Sequence, residues 1–317
     1  MKPDRPGVAL VTGAAGFAGR HLVAALDVDT CWDIIALARR TERFEGRARS
    51  VACDLMDANL VRRVVERYRP KAVFHLAAQS YVPKSVADPR ATLSNNILGQ
   101  VNLLEAILTA GLRPRILVVS SSEIYGAVSP DQLPVDEDAP LKPGNPYAVS
   151  KATQDLLGYQ YGLGGELDIV RVRPFNHSGP GQSERFVLSG FARQVVEAEA
   201  GRVEPSILVG NLDAQRDFLD VRDVVRAYRL ALEFGATGAV YNIASGTPRR
   251  IGDLLDELLK MARCPLTVRA DPARMRPSDV PVIYGDASRF RAVSGWRPAM
   301  PIGQTLADTL DHWRAIV

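Results

Sequence analysis

Tyr147 and Lys151 stand four residues apart in NPYAVSKATQDLL, at the start of a helical pattern, so their side chains share one helix face. A phenol with a pKa of about 10 exchanges protons poorly at neutrality. A nearby ammonium would stabilise the phenolate and bring that pKa toward the working range. The stretch SSSEIYG, residues 120–126, follows the apolar run RILVV and carries hydroxyls and a carboxylate. Ser121 could hold a substrate carbonyl oxygen between its hydroxyl and Tyr147. Hydride delivered to the carbonyl carbon would then be matched by a proton from the phenol. Glu123 admits two roles, a base that takes a proton from carbon or a group that only binds.

A second set of residues suits a dinucleotide. VTGAAGFAGRHL places Gly13, Gly16 and Gly19 after an apolar run and at the mouth of a helical pattern. Glycines there let backbone approach a pyrophosphate, whose charge sits at the positive end of the helix. The next apolar run, IIAL, leads into Ala38-Arg39-Arg40 rather than into an acid. An acid in that position favours NAD, whereas Arg39 can pair with the 2′-phosphate of NADP, so NADP(H) is expected ahead of NAD(H). Asp54, after SVAC, could bond the adenine amino group or cap its own loop.

These residues need a scaffold, and the pattern supplies one. VALVT (8–12), IIAL (34–37), VFHLA (73–77), RILVVS (115–120) and DIVRVR (168–173) read as strands buried on both faces. Helical patterns at 18–26, 58–68, 91–110 and 146–161 alternate with them. The expected fold is α/β: a Rossmann-like, doubly wound parallel sheet with a smaller C-terminal α/β substrate lobe. Residues 1–173, with about 217–244, are expected to form the dinucleotide-binding domain, and 174–216 with 245–317 the substrate lobe. In open sheets of this kind ligands bind at the carboxyl edge of the strands.

Composition narrows the class. The 317 residues are 46% hydrophobic and 24% charged, with a net charge of +3 and no basic tract, which argues against a nucleic-acid partner. No run reaches the roughly 18 apolar residues of a membrane span, and MKPDRPGVALVTG lacks the apolar core of a signal peptide. Cys31, Cys53 and Cys264, and the scattered His21, His75, His177 and His312, show neither a disulfide framework nor metal-ligand spacing. A cytoplasmic, metal-free enzyme is expected.

In order along the chain, Gly13-Ala14-Ala15-Gly16-Phe17-Ala18-Gly19, His75-Leu76-Ala77-Ala78, Ser121-Ser122-Glu123-Ile124-Tyr125-Gly126, Tyr147-x-x-x-Lys151 and Arg173-Pro174-Phe175-Asn176 resemble the extended short-chain dehydrogenase/reductases that act on nucleotide sugars. The resemblance covers essentially the whole chain. Within that family, RPFNHSGPGQ, GNLDAQRDFLDVRDVVRAY and DPARMRPSDVPVIYGD look like the GDP-6-deoxy-4-keto-D-mannose reductases, which form GDP-D-rhamnose. The resemblance implies a catalytic triad of Ser121, Tyr147 and Lys151, with Lys151 also on the nicotinamide ribose. It implies cofactor contacts from Phe17, Ala18, Leu55, Leu76, Ala77, Ala78 and Phe175 beside the glycines. Ser122, Glu123, Asn176, Arg216 and Arg276 are implied at the sugar nucleotide. A homodimer through the helices at about 91–110 and 146–161 is implied too, although Leu103, Leu104 and Ile107 fit a core face equally well.

The role of Glu123 divides the family. A 4,6-dehydratase must take the C5 proton, and Glu123 matches the base that does so in GDP-mannose 4,6-dehydratases. Against that stand GAAGFAG, which departs from the Gly-x-Asp-Gly of those enzymes, and ARMRPSDVP, which is nearer the reductases. The expectation is therefore a reductase in which Glu123 binds, with the dehydratase and a 4-epimerase as alternatives. A non-catalytic cofactor-binding sensor is a further class, disfavoured because Tyr147 and Lys151 are both present. Arg216 and Arg276 could instead pair with Asp217, Asp220 and Asp279, His177 could bond its own loop, and Trp296 and Tyr125 read as packed rings.

Overall fold

A computed structural model describes residues 7–28, 32–275 and 280–317. The strands, in chain order, are β1 (Gly7–Thr12), β2 (Trp32–Ala38), β3 (Arg49–Ala52), β4 (Ala72–His75), β5 (Arg115–Val119), β6 (Asp168–Pro174), β7 (Asn176–Ser178), β8 (Ser206–Val209), β9 (Gln215–Asp220), β10 (Val240–Ile243), β11 (Pro248–Arg250), β12 (Thr267–Ala270) and β13 (Val282–Ile283). The helices are α1 (Phe17–Asp27), α2 (Ala58–Tyr68), α3 (Val82–Ala87), α4 (Pro89–Thr109), α5 (Pro146–Leu163), α6 (Val187–Glu199), α7 (Val221–Phe234), α8 (Ile251–Leu259), α9 (Ser288–Ser294) and α10 (Ile302–Ile316).

Seven strands form one parallel sheet in the order β10-β6-β5-β4-β1-β2-β3. Its central strands are apolar on both faces because both faces are covered. On one face Leu10, Val73, Ile116 and Val118 pack with Leu103, Leu104 and Ile107 of α4. On the other, Val11, Phe74, Leu117 and Val172 pack with α1 and α7. The chain reverses direction of winding between β1 and β4, and a crevice opens at that point beyond their carboxyl ends. The site is placed there.

β7, β9, β11 and β13 make a smaller sheet, and β8 pairs with β12. α6, α8 and α10 close over β8 and β9 with Phe191, Val195, Leu254, Leu258, Leu310 and Trp313 in a core of their own. β3, β9 and β10 are among the strands not read from pattern. Leu103, Leu104 and Ile107 belong to the interior and so are not available to a partner. Instead Val149, Leu156, Tyr159 and Leu163 of α5, with Leu98 of α4, are the exposed large apolar side chains of these two helices. No described helix is long and apolar enough to cross a membrane.

Candidate active site

Backbone builds one side of the crevice. Gly13 follows β1 at φ +69°, and a Cβ there would lie 2.8 Å from Ala77 Cα. A Cβ on Gly19 would lie 2.2 Å from Gly13 O, so only glycine lets α1 start this close to the strand. Gly16 N donates to Gly13 O at 2.9 Å, and Gly16 caps α1 without a side-chain acceptor. The N–H groups of that first turn thus face the crevice mouth without a resident acid, which fits a diphosphate. Leu76 N and Ala77 N donate to Thr12 O and Oγ1 at 3.3 and 3.2 Å, tying the end of β4 to the glycine loop. Ala18 and Ala78 are half-buried beside it.

Phe17 lies between two imidazoles, edge-on to His21 at 5.5 Å and stacked on His177 at 6.0 Å. Arg39 and Arg40 are exposed just past β2, where an anion could reach both. Asp54 accepts Met56 N at 3.0 Å, the loop-capping role. Leu55 O accepts from Asn102 Nδ2 of α4 at 2.8 Å.

Side chains build the other side. Ser121 ends the strand run, and its Oγ accepts Glu123 N at 3.2 Å in a tight turn over Ser122–Tyr125. Ser122 is buried within that turn. Asn145 caps α5 through Ala148 N at 2.8 Å and donates from Nδ2 to Glu123 Oε2 at 3.4 Å. Tyr147 sits in the first turn of α5, hydrogen-bonded to Ser121. Ser121, Glu123 and Tyr147 are therefore brought together as the sequence suggests.

Protonation departs from expectation. Burial pushes the Tyr147 phenol up to about 12; the Ser121 bond pulls it back, and the Glu123 charge adds to the rise. The reason an ammonium does not lower it lies in Lys151 itself. Lys151 is buried, and its Nζ donates to Val119 O and, at 2.7 Å, to Gln154 Oε1. Burial pushes it down to about 7 against the pull of Asp155, so near neutrality it carries only part of a charge.

Several supporting groups were invisible to pattern reading. Asn96 of α4 accepts Gln79 N at 2.7 Å and donates to Ser150 Oγ at 2.8 Å, which in turn donates to Tyr147 O at 2.7 Å. His75 meets Thr12 Oγ1 at 2.8 Å and Gln154 Nε2 at 3.2 Å. Only Gln154, three residues after Lys151 on one helix, offered a spacing from which contact could be anticipated.

On the substrate side the placement is mixed. Asn176 is half-buried on β7, and Arg216, on β9, donates to Gln215 O at 2.8 Å. The Phe175 ring is 1% exposed and stacks on Tyr125 at 6.4 Å, so it packs inward rather than presenting its face at the cleft. His177 bonds Phe175 O at 3.0 Å through Nδ1. Trp296 is a core ring whose Nε1 donates to Asp223 O at 3.1 Å. Asp217 accepts Ser245 N, Gly246 N and Gly285 N at 2.8, 2.9 and 3.3 Å, joining the lobe's loops to β9. Arg276 and Asp279 lie outside the described residues. Among the described residues no cluster of His, Cys, Asp and Glu could hold a metal ion.

Comparison with known proteins agrees with this geometry. The family model described as GDP-mannose 4,6 dehydratase matches residues 10–309. The chain is 38% identical to the GDP-6-deoxy-D-mannose reductase of Pseudomonas aeruginosa, over 97% of each chain. It is 30% identical to the GDP-mannose 4,6-dehydratase of Sinorhizobium fredii, over 92% of each. Among solved structures, RMD from Pseudomonas aeruginosa complexed with NADPH superposes with a TM-score of 0.89 at 36% identity, covering 98% of this chain and all of the other. The UDP-glucose 4-epimerase of Thermus thermophilus, complexed with NAD, gives 0.86 at 30% identity, covering 98% of this chain and 100% of the other.

Proposed function

The chain belongs to the GDP-mannose 4,6-dehydratase family of extended short-chain dehydrogenase/reductases, and from that premise we propose that it reduces the C4 keto group of GDP-4-keto-6-deoxy-D-mannose to give GDP-D-rhamnose. The observation that carries this reading is similarity to a GDP-6-deoxy-D-mannose reductase, 38% identical over 97% of the chain. The Ser121 hydroxyl beside the Tyr147 phenol gives a carbonyl oxygen a proton donor and a second hydrogen-bond partner, the pair that reduction at C4 needs.

Bound in the crevice, a reduced nicotinamide dinucleotide supplies hydride to the carbonyl carbon. Gly13, Gly16, Phe17, Ala18 and Gly19 would hold its diphosphate, Arg39 would take the 2′-phosphate of NADP, and Asp54 and Leu55 would meet the adenine. Leu76, Ala77 and Ala78 would line the way to Lys151 at the nicotinamide end, with Phe175 packed behind it against Tyr125. Tyr147 protonates the C4 oxygen while Ser121 holds it, and Lys151 steadies the ribose. Ser122, Glu123, Asn176, Arg216 and Arg276 receive the sugar nucleotide. A guanidinium suits a diphosphate through its planar, paired donors.

The division of labour follows the residues: 1–173 with about 217–244 for the cofactor, 174–216 with 245–317 for the sugar nucleotide. The exposed stripe of Val149, Leu156, Tyr159 and Leu163 supports a homodimer through α4 and α5. The other reading, a GDP-mannose 4,6-dehydratase with Glu123 as C5 base, draws on the exposed Glu123 carboxylate held by Asn145 beside Tyr147.

Incubation with each sugar in turn separates the two. The reductase oxidises one NADPH for each GDP-4-keto-6-deoxymannose consumed and leaves GDP-mannose unchanged. Conversion of GDP-mannose with no net loss of nicotinamide absorbance would overturn it.

A further inference from the structure

We propose that Gln154, oriented by His75, is the positioning residue that holds Lys151 in place and sets how readily it is protonated. The amide orientation follows from its neighbours. Lys151 Nζ is 2.7 Å from Gln154 Oε1, so the carbonyl end of the amide faces the lysine and the NH2 end faces His75 Nε2 at 3.2 Å. An amide nitrogen only donates, so Nε2 must accept, and the imidazole hydrogen sits on Nδ1, 2.8 Å from Thr12 Oγ1. Thr12 Oγ1 also accepts Ala77 N at 3.2 Å. The ring is neutral, since a second N–H would point at the amide NH2. Burial and the Lys151 charge push its pKa down to about 3, in keeping with this.

Thr12, His75, Gln154 and Lys151 are all buried, so none of these bonds is shared with bulk water. The chain of contacts therefore runs from the glycine loop through β4 to the amine on α5. A lysine on its flexible stem has no preferred direction of its own. Here one carbonyl, Val119 O, and one neutral amide fix it. The amide supplies an acceptor without a charge, so burial is left to push Lys151 down to about 7. The charged groups around it are few. Asp155 on α5 is engaged by Arg171 and Arg173 of β6 at 2.6 and 2.9 Å, His75 of β4 is neutral, and Tyr147 and Glu123 stand toward the cleft. From α4, Gln100 Nε2 donates to Gln154 O at 2.8 Å and adds no charge.

The titrations and spectra need no substrate, so their failure would be separate from failure of the proposed reaction, which only the kinetic readout requires. Protein carrying [ε-13C]lysine shows signals from Lys2, Lys71, Lys84, Lys142, Lys151 and Lys260, and the Lys151 signal is the one lost in Lys151→Arg. The wild-type Lys151 signal is expected to titrate at about 7. Gln154→Glu raises its midpoint by about one unit or more through the added carboxylate. Gln154→Met lowers it by roughly half a unit or more and cuts kcat roughly ten- to hundredfold with KM little changed. An unchanged midpoint in a folded variant, judged by circular dichroism and Tm, contradicts the proposal. Should neither variant fold, the wild type still decides: 15N spectra of the histidine rings show His75 with its hydrogen on Nδ1, and a hydrogen on Nε2 at neutral pH would overturn the assignment.

Discussion

At the glycine loop the protein offers a ligand its backbone, shaped by what is absent from Gly13 and Gly19. Across the crevice, at Ser121, Tyr147 and Lys151, it offers side chains; Lys151 is held through Gln154 and His75 as far as Thr12 of β1, and the Tyr147 backbone through Ser150 by Asn96 of α4. The first kind of site is defined by local geometry and tolerates no added atom. The second is defined by protonation, which burial and distant partners set. Breaking them should therefore have different signatures, one in cofactor affinity and the other in kcat and pH dependence.

The largest effect is expected at the phenol. Tyr147→Phe removes the proton donor and lowers kcat by roughly 10²–10⁴-fold, with NADPH binding by fluorescence titration nearly unchanged. Gly13→Ala should do the reverse. Its Cβ meets Ala77 at 2.8 Å in a left-handed conformation, so NADPH affinity falls about tenfold or more while kcat at saturating cofactor is largely kept. Arg39→Ser refines the cofactor end further: NADPH binding weakens by about tenfold, the loss of one charge-assisted contact, and NADH binding does not change.

Lys151→Met separates activity from stability. Its folded pKa, about 7, lies below the ordinary 10.5, so between those values the unfolded chain binds a proton that the folded chain refuses. Wild-type stability on this account rises as pH rises through that window. The variant, which has no such proton, should melt higher than wild type at pH 7, and the gap should close above about pH 10.5. The smallest effect is expected for Glu123→Gln. A binding role predicts a change of about threefold or less in kcat on the keto sugar, whereas a C5 base on GDP-mannose would cost roughly 10²–10⁴-fold.

The parts of this arrangement that pattern alone conveys are the local ones. Alternating apolar runs and helical periods place β1, β2, β4, β5 and β6 within a residue or two, and the glycine spacing locates the cofactor loop. β3, RSVA, is short and only half-buried, and β9, QRDFLD, carries charges, so neither reads as an apolar run. The side of α4 that carries Leu103, Leu104 and Ile107 is equally a core face or a partner face until the sheet beneath it is known. Protonation is the least legible property. Tyr147 and Lys151 four apart suggest an ammonium that acidifies a phenol; the fold raises the pKa of one and lowers that of the other. His75 and Gln154 are 79 residues apart, and nothing in either segment announces their contact.

The direct measurement is the fate of the hydride. With NADPH deuterated at the transferred position and GDP-4-keto-6-deoxymannose as substrate, the account predicts one deuterium per sugar, at C4, matched by one oxidised cofactor. Product lacking deuterium at C4, or a sugar transformed while the cofactor stays reduced, would contradict it.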